Sequence, residues 1–216
     1  NSGALPADTR LEDELSMAAR LHVSRPTARQ ALQRLVDRGL LTRRRGVGTI
    51  VSPRHVHRPM ELTSLMRDLV NAGHKVHTTI QRYEARPANA QEADILKITE
   101  GTLIVHIERT RFANDEPIAV LTNFIPTDIA PTMQELESAS LYDLMRERGV
   151  TLASARQVIG ARSATTKEAK LLSEHRGAAL LTTQRTTYDP SGRIVEYGDH
   201  IYRASRYSFE ASLFAQ

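Results

Sequence analysis

The chain has 216 residues, of which 40% are hydrophobic and 25% charged, a composition typical of a soluble globular protein and not of a disordered one. It contains no cysteine, which excludes disulfides, thiolate metal sites and cysteine nucleophiles. No apolar run approaches the length of a membrane span, and no secretion leader is visible. We therefore expect a cytoplasmic protein with no membrane partner.

The positive charge is concentrated at one end of the chain. Residues 1–53 hold nine arginines and five acidic residues, whereas residues 54–216 hold twenty basic and twenty acidic side chains. Such an asymmetry indicates a small basic domain that binds a polyanion, joined to a neutral domain with a different function. Two prolines and no periodicity in the segment around residues 54–59 predict the linker between them.

The order of elements in residues 1–53 is that of a winged helix-turn-helix. Asp13 is a capping residue that predicts the N-terminus of a short helix. Ser24 predicts the N-terminus of a second helix, and Gly39 predicts its C-terminus. Two strands around a glycine-rich turn follow, at residues 40–43 and 49–51. In this architecture the second helix lies in the major groove of DNA.

Side chains suited to reading DNA occur in this second helix and in the hairpin. Arginine can bond guanine edges and glutamine adenine edges, while hydroxyls and helix N-terminal amides bind phosphates. Arginines beside glycines suit a narrow minor groove. We predict double-stranded DNA as the partner, bound by Ser24, Arg25, Thr27, Arg29, Gln30, Arg44, Arg45, Gly46 and Gly48. The alternative is a solvated helix face followed by an ordinary basic hairpin.

Residues 23–32, VSRPTARQAL, and residues 44–51, RRGVGTIV, resemble the DNA-binding domain of the GntR family of bacterial transcription regulators. The resemblance implies that Arg25, Thr27 and Arg29 contact operator DNA and that the glycines of the hairpin form the tip of the wing.

The chain departs from the family pattern in two places. The family usually has Leu-Pro-Ser-Glu-Arg before the recognition helix, and here residues 11–15 read LEDEL. We therefore expect no arginine–DNA contact at Leu15. The family's first helix would precede Gly3, so we expect it to be missing from this sequence.

Residues 60–216 predict an α+β domain, because neighbouring strands joined by short turns favour an antiparallel sheet. Helices are predicted at 65–73, 90–97, 140–148 and 166–174, and strands at 76–84, 103–113, 118–125, 155–162, 179–188 and 194–202.

Motifs spread over this body resemble the UTRA effector-binding domain of the HutC subfamily. They include RTR at 109–111, EPIA at 116–119, FIP at 124–126 and SLYDL at 140–144. The resemblance implies a fold similar to chorismate lyase, an antiparallel sheet beside a buried small-molecule pocket.

The residues themselves also indicate a pocket for an anion. Arg109 and Arg111 continue the apolar face of one strand, where guanidinium groups suit a phosphate or carboxylate. We predict an effector such as a phosphorylated sugar or organic acid, bound by Arg109, Arg111, Ser138, Ser140, Tyr142, Glu196 and Tyr202. The two serines are expected at a helix start. The alternative is that the arginines pair with structural carboxylates such as Glu196, and that the serines only cap a helix.

These observations predict a ligand-responsive transcription regulator that binds a palindromic operator as a homodimer. The resemblance implies that it is a repressor, as most members of the family are. The alternatives are an enzyme of chorismate-lyase-like fold and a DNA-binding protein without an effector. We find no nucleophile–base pair and no placed pair of carboxylates, so we expect no enzyme. We also expect no cofactor and no metal, because the histidine pairs at 55/57 and 74/77 have no carboxylate to complete a site.

Overall fold

The computed structural model describes Leu5 and residues 9–37, 41–44, 48–51, 56–59 and 62–210. The chain divides into two compact units, Asn1–Val56 and His57–Gln216. No helix among the described residues is long and apolar enough to cross a membrane.

The first unit has the predicted order of two helices and a hairpin, with α1 at Glu14–Arg20, α2 at Arg25–Asp37, β1 at Leu41–Arg44 and β2 at Gly48–Val51. The Asp13 carboxylate caps α1 by accepting hydrogen bonds from the amides of Leu15 and Ser16 at 2.9 and 3.0 Å. Ser24 caps α2 by accepting one from the Thr27 amide at 3.3 Å. Gly39, expected to end α2, lies outside the described residues.

The second unit is built on a six-stranded antiparallel sheet in the order β4-β5-β6-β9-β8-β7. The strands are β4 Val76–Pro87, β5 Leu103–Ala113, β6 Glu116–Pro126, β7 Ser154–Ser163, β8 Ala179–Tyr188 and β9 Ile194–Arg203. The helices are α3 Leu65–Asn71, α4 Ala90–Leu96, α5 Met133–Ser138, α6 Leu141–Glu147 and α7 Thr166–Leu171.

Helices cover both faces of this sheet. On one face α5 and α6 pack over β5 and β6 in a core that includes Ile107, Ile125, Leu136 and Met145, all fully buried. On the other face α7 and α4 bury separate apolar clusters. Because successive strand residues point to opposite faces, the odd-numbered residues of β5 and β6 face α5 and α6.

Part of the expected linker forms a strand. Val56–Pro59, expected within an irregular linker, forms β3, which pairs with β10 at Tyr207–Glu210 in a separate two-stranded sheet. Residues 54 and 55 lie outside the described part of the chain. A four-residue strand with one proline has too little pattern to be recognised without its partner.

Candidate DNA-reading surface and effector pocket

A single carboxylate gathers three arginines on one surface of the first unit. Glu14 Oε2 accepts a hydrogen bond from Arg29 Nε at 2.9 Å, and it lies 4.0 Å from Arg25 Nε. The other oxygen, Oε1, accepts one from Arg43 Nη2 of the hairpin at 3.5 Å. Glu14 therefore holds side chains of the recognition helix and of the wing against each other. Sequence reasoning missed this residue, although an acidic side chain at a helix start in a basic module was a visible signal.

These arginines border a concavity, which we call the DNA-reading surface. It is lined by Arg25, Pro26, Arg29, Gln30, Gln33 and Arg43. Three of the predicted DNA contacts, Arg25, Arg29 and Gln30, are therefore brought together. All lie on the solvent-exposed side of α2, where a duplex can reach them.

The other predicted DNA contacts are placed as follows. The Ser24 and Thr27 hydroxyls are 2.7 Å apart at the start of α2. Arg44 stands opposite Gly48 in the hairpin register, and only its backbone is described. Arg45 and Gly46 lie outside the described residues. The roles of all these residues in DNA binding remain predictions.

The second unit contains a small cavity between the centre of the sheet and the starts of α3 and α6. Its volume is about 40 Å³, enough for only a few water molecules. Six of the seven predicted effector residues line it, Ser138 being the exception. The lining residues are Thr63, Ser64, Leu65, Met66, Arg109, Arg111, Leu121, Asn123, Ser140, Leu141, Tyr142, Arg185, Glu196, His200 and Tyr202.

Two buried arginines supply the positive charge of this cavity. Arg109 and Arg111 are each only 2% exposed. Arg109 Nη2 donates to Asn123 Oδ1 at 2.7 Å, and Arg111 Nη1 donates to the Thr78 hydroxyl. Arg109 Nε and Nη1 and Arg111 Nε find no acceptor among the described residues. Both side chains line the cavity, and together they have three buried donors without a partner.

The electrostatics of the two guanidinium groups follow from their burial. Burial lowers the pKa of Arg109 to about 10, with the Glu196 carboxylate opposing the shift. Burial, and then the like charge of Arg109, lowers the pKa of Arg111 to about 9. Both groups remain cations at neutral pH. Their burial costs free energy because a charge that is removed from water loses its hydration.

Glu196 does not form the direct ion pair with Arg109 that the alternative reading required. Its Oε1 accepts a hydrogen bond from Asn123 Nδ2 at 2.6 Å, so Asn123 stands between the carboxylate and the arginine. Its Oε2 accepts from the hydroxyls of Thr187 at 2.8 Å and Tyr142 at 3.2 Å. Burial raises the pKa of the Glu196 carboxyl. Asn123 had no sequence signal of its own, because its role depends on two strands being adjacent.

The two serines differ in position. The expectation that Ser138 lies at a helix start is wrong: it is the last residue of α5, exposed, and its hydroxyl donates to the Glu135 carbonyl. Ser140 caps α6 by accepting from the Asp143 amide at 3.3 Å, and it is buried at the cavity. The predicted helix at 140–148 was correct, but the short helix just before it was not recognised.

Further residues complete the polar lining. The His200 ring contacts Asn123 Nδ2 at 3.3 Å and the Tyr202 hydroxyl at 3.3 Å. Arg185 Nη1 donates to the Thr63 carbonyl at 3.4 Å, which ties the segment before α3 to the sheet. Among the described residues, no group of three His, Cys, Asp or Glu side chains could hold a metal ion.

Comparison with known proteins identifies both units. The profile described as "Bacterial regulatory proteins, gntR family" matches residues 1–51, and that of the UTRA domain matches residues 71–208. The repressor NagR of Bacillus subtilis is 34% identical over 96% of this chain and 87% of its own length. The probable regulator PhnF of Escherichia coli is 32% identical over 92% of this chain and 84% of its own.

A solved structure has the same fold. PhnF of Mycobacterium smegmatis superposes with a TM-score of 0.89 at 24% identity, covering 99% of this chain and 95% of that one. The predicted α+β architecture is thereby confirmed, and the family resemblance is confirmed by the matching profiles and relatives. These proteins are regulators and not enzymes. The chain therefore belongs to the GntR family of bacterial regulatory proteins and is a ligand-responsive transcription repressor, in which a helix-turn-helix domain for operator DNA is joined to a UTRA domain for a small-molecule effector.

Proposed function

We propose that this repressor binds a palindromic operator as a homodimer through the DNA-reading surface, and that a small anion in the cavity of the second unit changes its operator affinity. The observation that carries the proposal is the pair of buried guanidinium groups, Arg109 and Arg111, with unused donors at the cavity. The chromosome of a bacterium lies in the cytoplasm, and we place the protein there.

The chemistry of the pair selects an anion. The side-chain hydrogen bonds of Arg109 and Arg111 among the described residues go to the neutral groups of Asn123 and Thr78 and to no carboxylate. A phosphate or carboxylate would accept from the free Nε and Nη1 atoms and supply the missing counter-charge, and charge-assisted hydrogen bonds of this kind are the strong ones. Leu121 and Tyr142 add apolar surface. A phosphorylated sugar or an organic acid meets these requirements.

The remaining polar groups suit the uncharged part of such a ligand. Glu196 and Asn123 lie beside Arg109, and Ser140, Tyr142 and Tyr202 border the same space. A hydroxyl-bearing ligand could exchange hydrogen bonds with this network. Ser138 has no place in the proposed site, because it is exposed and outside the cavity lining.

The homodimer is proposed from the small size of the DNA-reading surface. One helix and one hairpin offer few contacts, and two copies on adjacent half-sites supply the affinity and the two-fold symmetry that operators commonly show. We propose that the neutral second unit holds the dimer together, and that the segment Pro53–Pro59 transmits the effector signal to the spacing of the DNA-binding units.

Operator binding is tested with Arg29→Ala and a matched control, Arg34→Ala. Both remove one arginine from α2, but only Arg29 lines the DNA-reading surface. Fluorescence anisotropy at fixed salt should show a loss of about 1–3 kcal/mol in operator binding for Arg29→Ala, and a smaller loss for the control. Equal losses would show that Arg29 contributes only its charge.

Effector binding is tested by a thermal-shift screen with phosphorylated sugars, organic acids and inorganic phosphate. A ligand that binds only the folded state must raise the melting temperature. The variant Arg109→Ala with Arg111→Ala should lose the shift and the effector response while its effector-free operator affinity stays near wild type. A full response in this variant would place the anion elsewhere.

A further inference from the structure

Three aromatic side chains of the second unit form a closed group, which we call the ring cluster: Tyr202 of β9 with Tyr207 and Phe209 of β10. The rings of Tyr202 and Tyr207 are stacked, with centroids 4.3 Å apart and planes 17° from parallel. The Phe209 ring stands at 82° to both, 5.5 Å from Tyr202 and 5.1 Å from Tyr207. Each ring contacts the other two, so none can shift far without the others.

Tyr202 is the member of the ring cluster that lines the cavity, together with Arg111. In the sheet register Arg111 lies opposite Ala119, and Ala119 lies opposite Tyr202. The three residues therefore form one row across β5, β6 and β9, in which the Cα atoms of Arg111 and Tyr202 are about 10 Å apart. Because the side chain of Ala119 is a single methyl group, an anion bound by Arg111 above it would lie against the Tyr202 ring.

The other two members of the ring cluster belong to the partner strand of the linker. Tyr207 and Phe209 lie in β10, which pairs with β3. The strand β3 is the described part of the predicted linker, and only residues 52–55 separate it from β2 of the DNA-binding hairpin. The ring cluster thus has one member at the cavity and two on the strand that holds the linker.

The position of β3 and β10 depends on this packing. In the described part of the chain the two strands pair with each other and with no further strand, and a two-stranded ribbon is marginally stable by itself. The turn before β10 fixes only its near end, where the Arg206 amide donates to the Arg203 carbonyl at 3.0 Å. Beyond the turn, Tyr207 is 1% exposed and is buried against Tyr202. The ribbon is therefore attached to the sheet through the ring cluster.

We propose that the ring cluster transmits the effector signal: an anion at Arg111 shifts the Tyr202 ring, Tyr207 and Phe209 shift with it, and β10 moves β3. The inference rests on the effector site proposed above and names the residues that connect it to the linker. Tyr207 and Phe209 are positioning residues, since neither lines the cavity. The signal arises because the effector binds one position of the Tyr202 ring more tightly than the other.

Tryptophan fluorescence tests the step from the cavity to the ring cluster. The chain contains no tryptophan, so Phe209→Trp places a single fluorophore in the cluster of the full chain. Inorganic phosphate should shift its emission, and it should cause no shift when Arg109→Ala and Arg111→Ala are added to this variant. Leu103→Trp is the control, because Leu103 is exposed and outside the cavity lining, and its emission should stay constant. Constant emission from Phe209→Trp, while phosphate raises the melting temperature of that variant, would refute the proposal.

Hydrogen exchange of backbone amides tests the step from the ring cluster to the linker. In the wild-type chain phosphate should change the exchange rates of the amides in β3 at least about twofold. Phe209→Leu keeps an apolar side chain but removes the ring contacts, so it should bind phosphate with a Kd within about twofold of wild type and lose the change at β3. Phe209→Tyr keeps the ring and should retain the change. A side chain that served only stability would alter the exchange at β3 equally with and without phosphate.

The outcomes separate this connection from the effector site itself. If phosphate still changes the exchange at β3 in Phe209→Leu as in wild type, the signal bypasses the ring cluster, and the connection is refuted while the effector site stands. If phosphate changes neither the melting temperature nor any exchange rate of the wild-type chain, the anion site is refuted and the connection with it.

Discussion

Replacing Arg111 by methionine should make the effector-free protein more stable. Methionine matches most of the length of the arginine side chain and removes its charge. Arg111 is 2% exposed, it has no carboxylate partner among the described residues, and its Nε finds no acceptor there. Buried charges that are replaced by apolar side chains of similar volume often leave a protein as stable or more stable.

The magnitude follows from the lowered pKa. The fall of the Arg111 pKa from its ordinary value to about 9 corresponds to a penalty of up to about 5 kcal/mol on the charged form. For a base with a lowered pKa the penalty is fully present below the folded-state value, so it applies at pH 7 and disappears only as the pH rises above about 9. The lost hydrogen bond to Thr78 costs about 1 kcal/mol. We expect a net gain of about 1–3 kcal/mol, equivalent to a rise in melting temperature of about 5 °C.

Calorimetry at pH 7, in a buffer without phosphate or sulfate, measures this change. The matched control is Arg203→Met, since Arg203 is also buried but lies 2.9 Å from a Glu174 carboxylate oxygen and 3.4 Å from one of Glu116. Breaking that cluster leaves carboxylates unpaired, so the control should lose stability. Opposite signs for the two variants support an unpartnered cation at Arg111. Equal losses would refute the reasoning, because they would mean that Arg111 already has a counter-charge.

Two further predictions concern single glutamates. Glu14→Gln should raise the affinity for random DNA, because it removes a negative charge. It should lower the ratio of operator affinity to random-DNA affinity by about tenfold, because Arg29 and Arg43 lose the carboxylate that positions them. Fluorescence anisotropy with operator and random DNA measures both affinities, with Glu12→Gln as the control. Glu168→Gln should lower the free energy of unfolding by about 1–2 kcal/mol at pH 7 and by almost nothing near pH 2. Hydrogen bonds from Arg162 lower the pKa of Glu168 from 4.5 to about 2. The stabilisation by the carboxylate is therefore lost as the pH falls through that range. Urea unfolding at both pH values checks the second, with the exposed Glu137→Gln as control.

Periodicity and capping signals predicted most elements of the fold because they are local. The capping carboxylate of Asp13 and the hydroxyl of Ser24 do what their sequence positions indicate. The strands β5 and β8 have the predicted bounds, since long runs of apolar and branched residues fix them. The strand period alone placed Arg109 and Arg111 on one face, and both line the cavity.

What the sequence did not show depends on contacts between distant residues. The helix α5 contains only one buried residue, Leu136, so it has no apolar period, and Ser138 was therefore assigned to the wrong end of a helix. Asn123 separates Arg109 from Glu196 only because β6 lies between β5 and β9. No spacing along the chain encodes that neighbourhood.

The small size of the cavity determines which wall must move when an effector binds. About 40 Å³ cannot hold a phosphorylated sugar, and the sheet side belongs to strands that are hydrogen-bonded on both sides. The other side consists of the segment 63–66, which leads into α3, and of the start of α6 at residues 140–142; of these we expect the segment 63–66 to move. Because this segment follows the predicted linker in the chain, we expect its displacement to change the conformation of the linker.

An ion pair between Arg67 and Asp143, 3.3 Å apart, holds α3 to α6, and weakening it tests this route. Arg67→Ala should favour the open pocket and tighten effector binding, by a factor of about two to five for so exposed a pair. Since coupling between two ligands is reciprocal, the same variant should move the effector-free operator affinity part of the way toward its effector-bound value. Titrations of effector and of operator DNA, each with and without the other, measure both quantities. Tighter effector binding with an unchanged operator affinity would show that the segment 63–66 opens the pocket but does not carry the signal to the DNA.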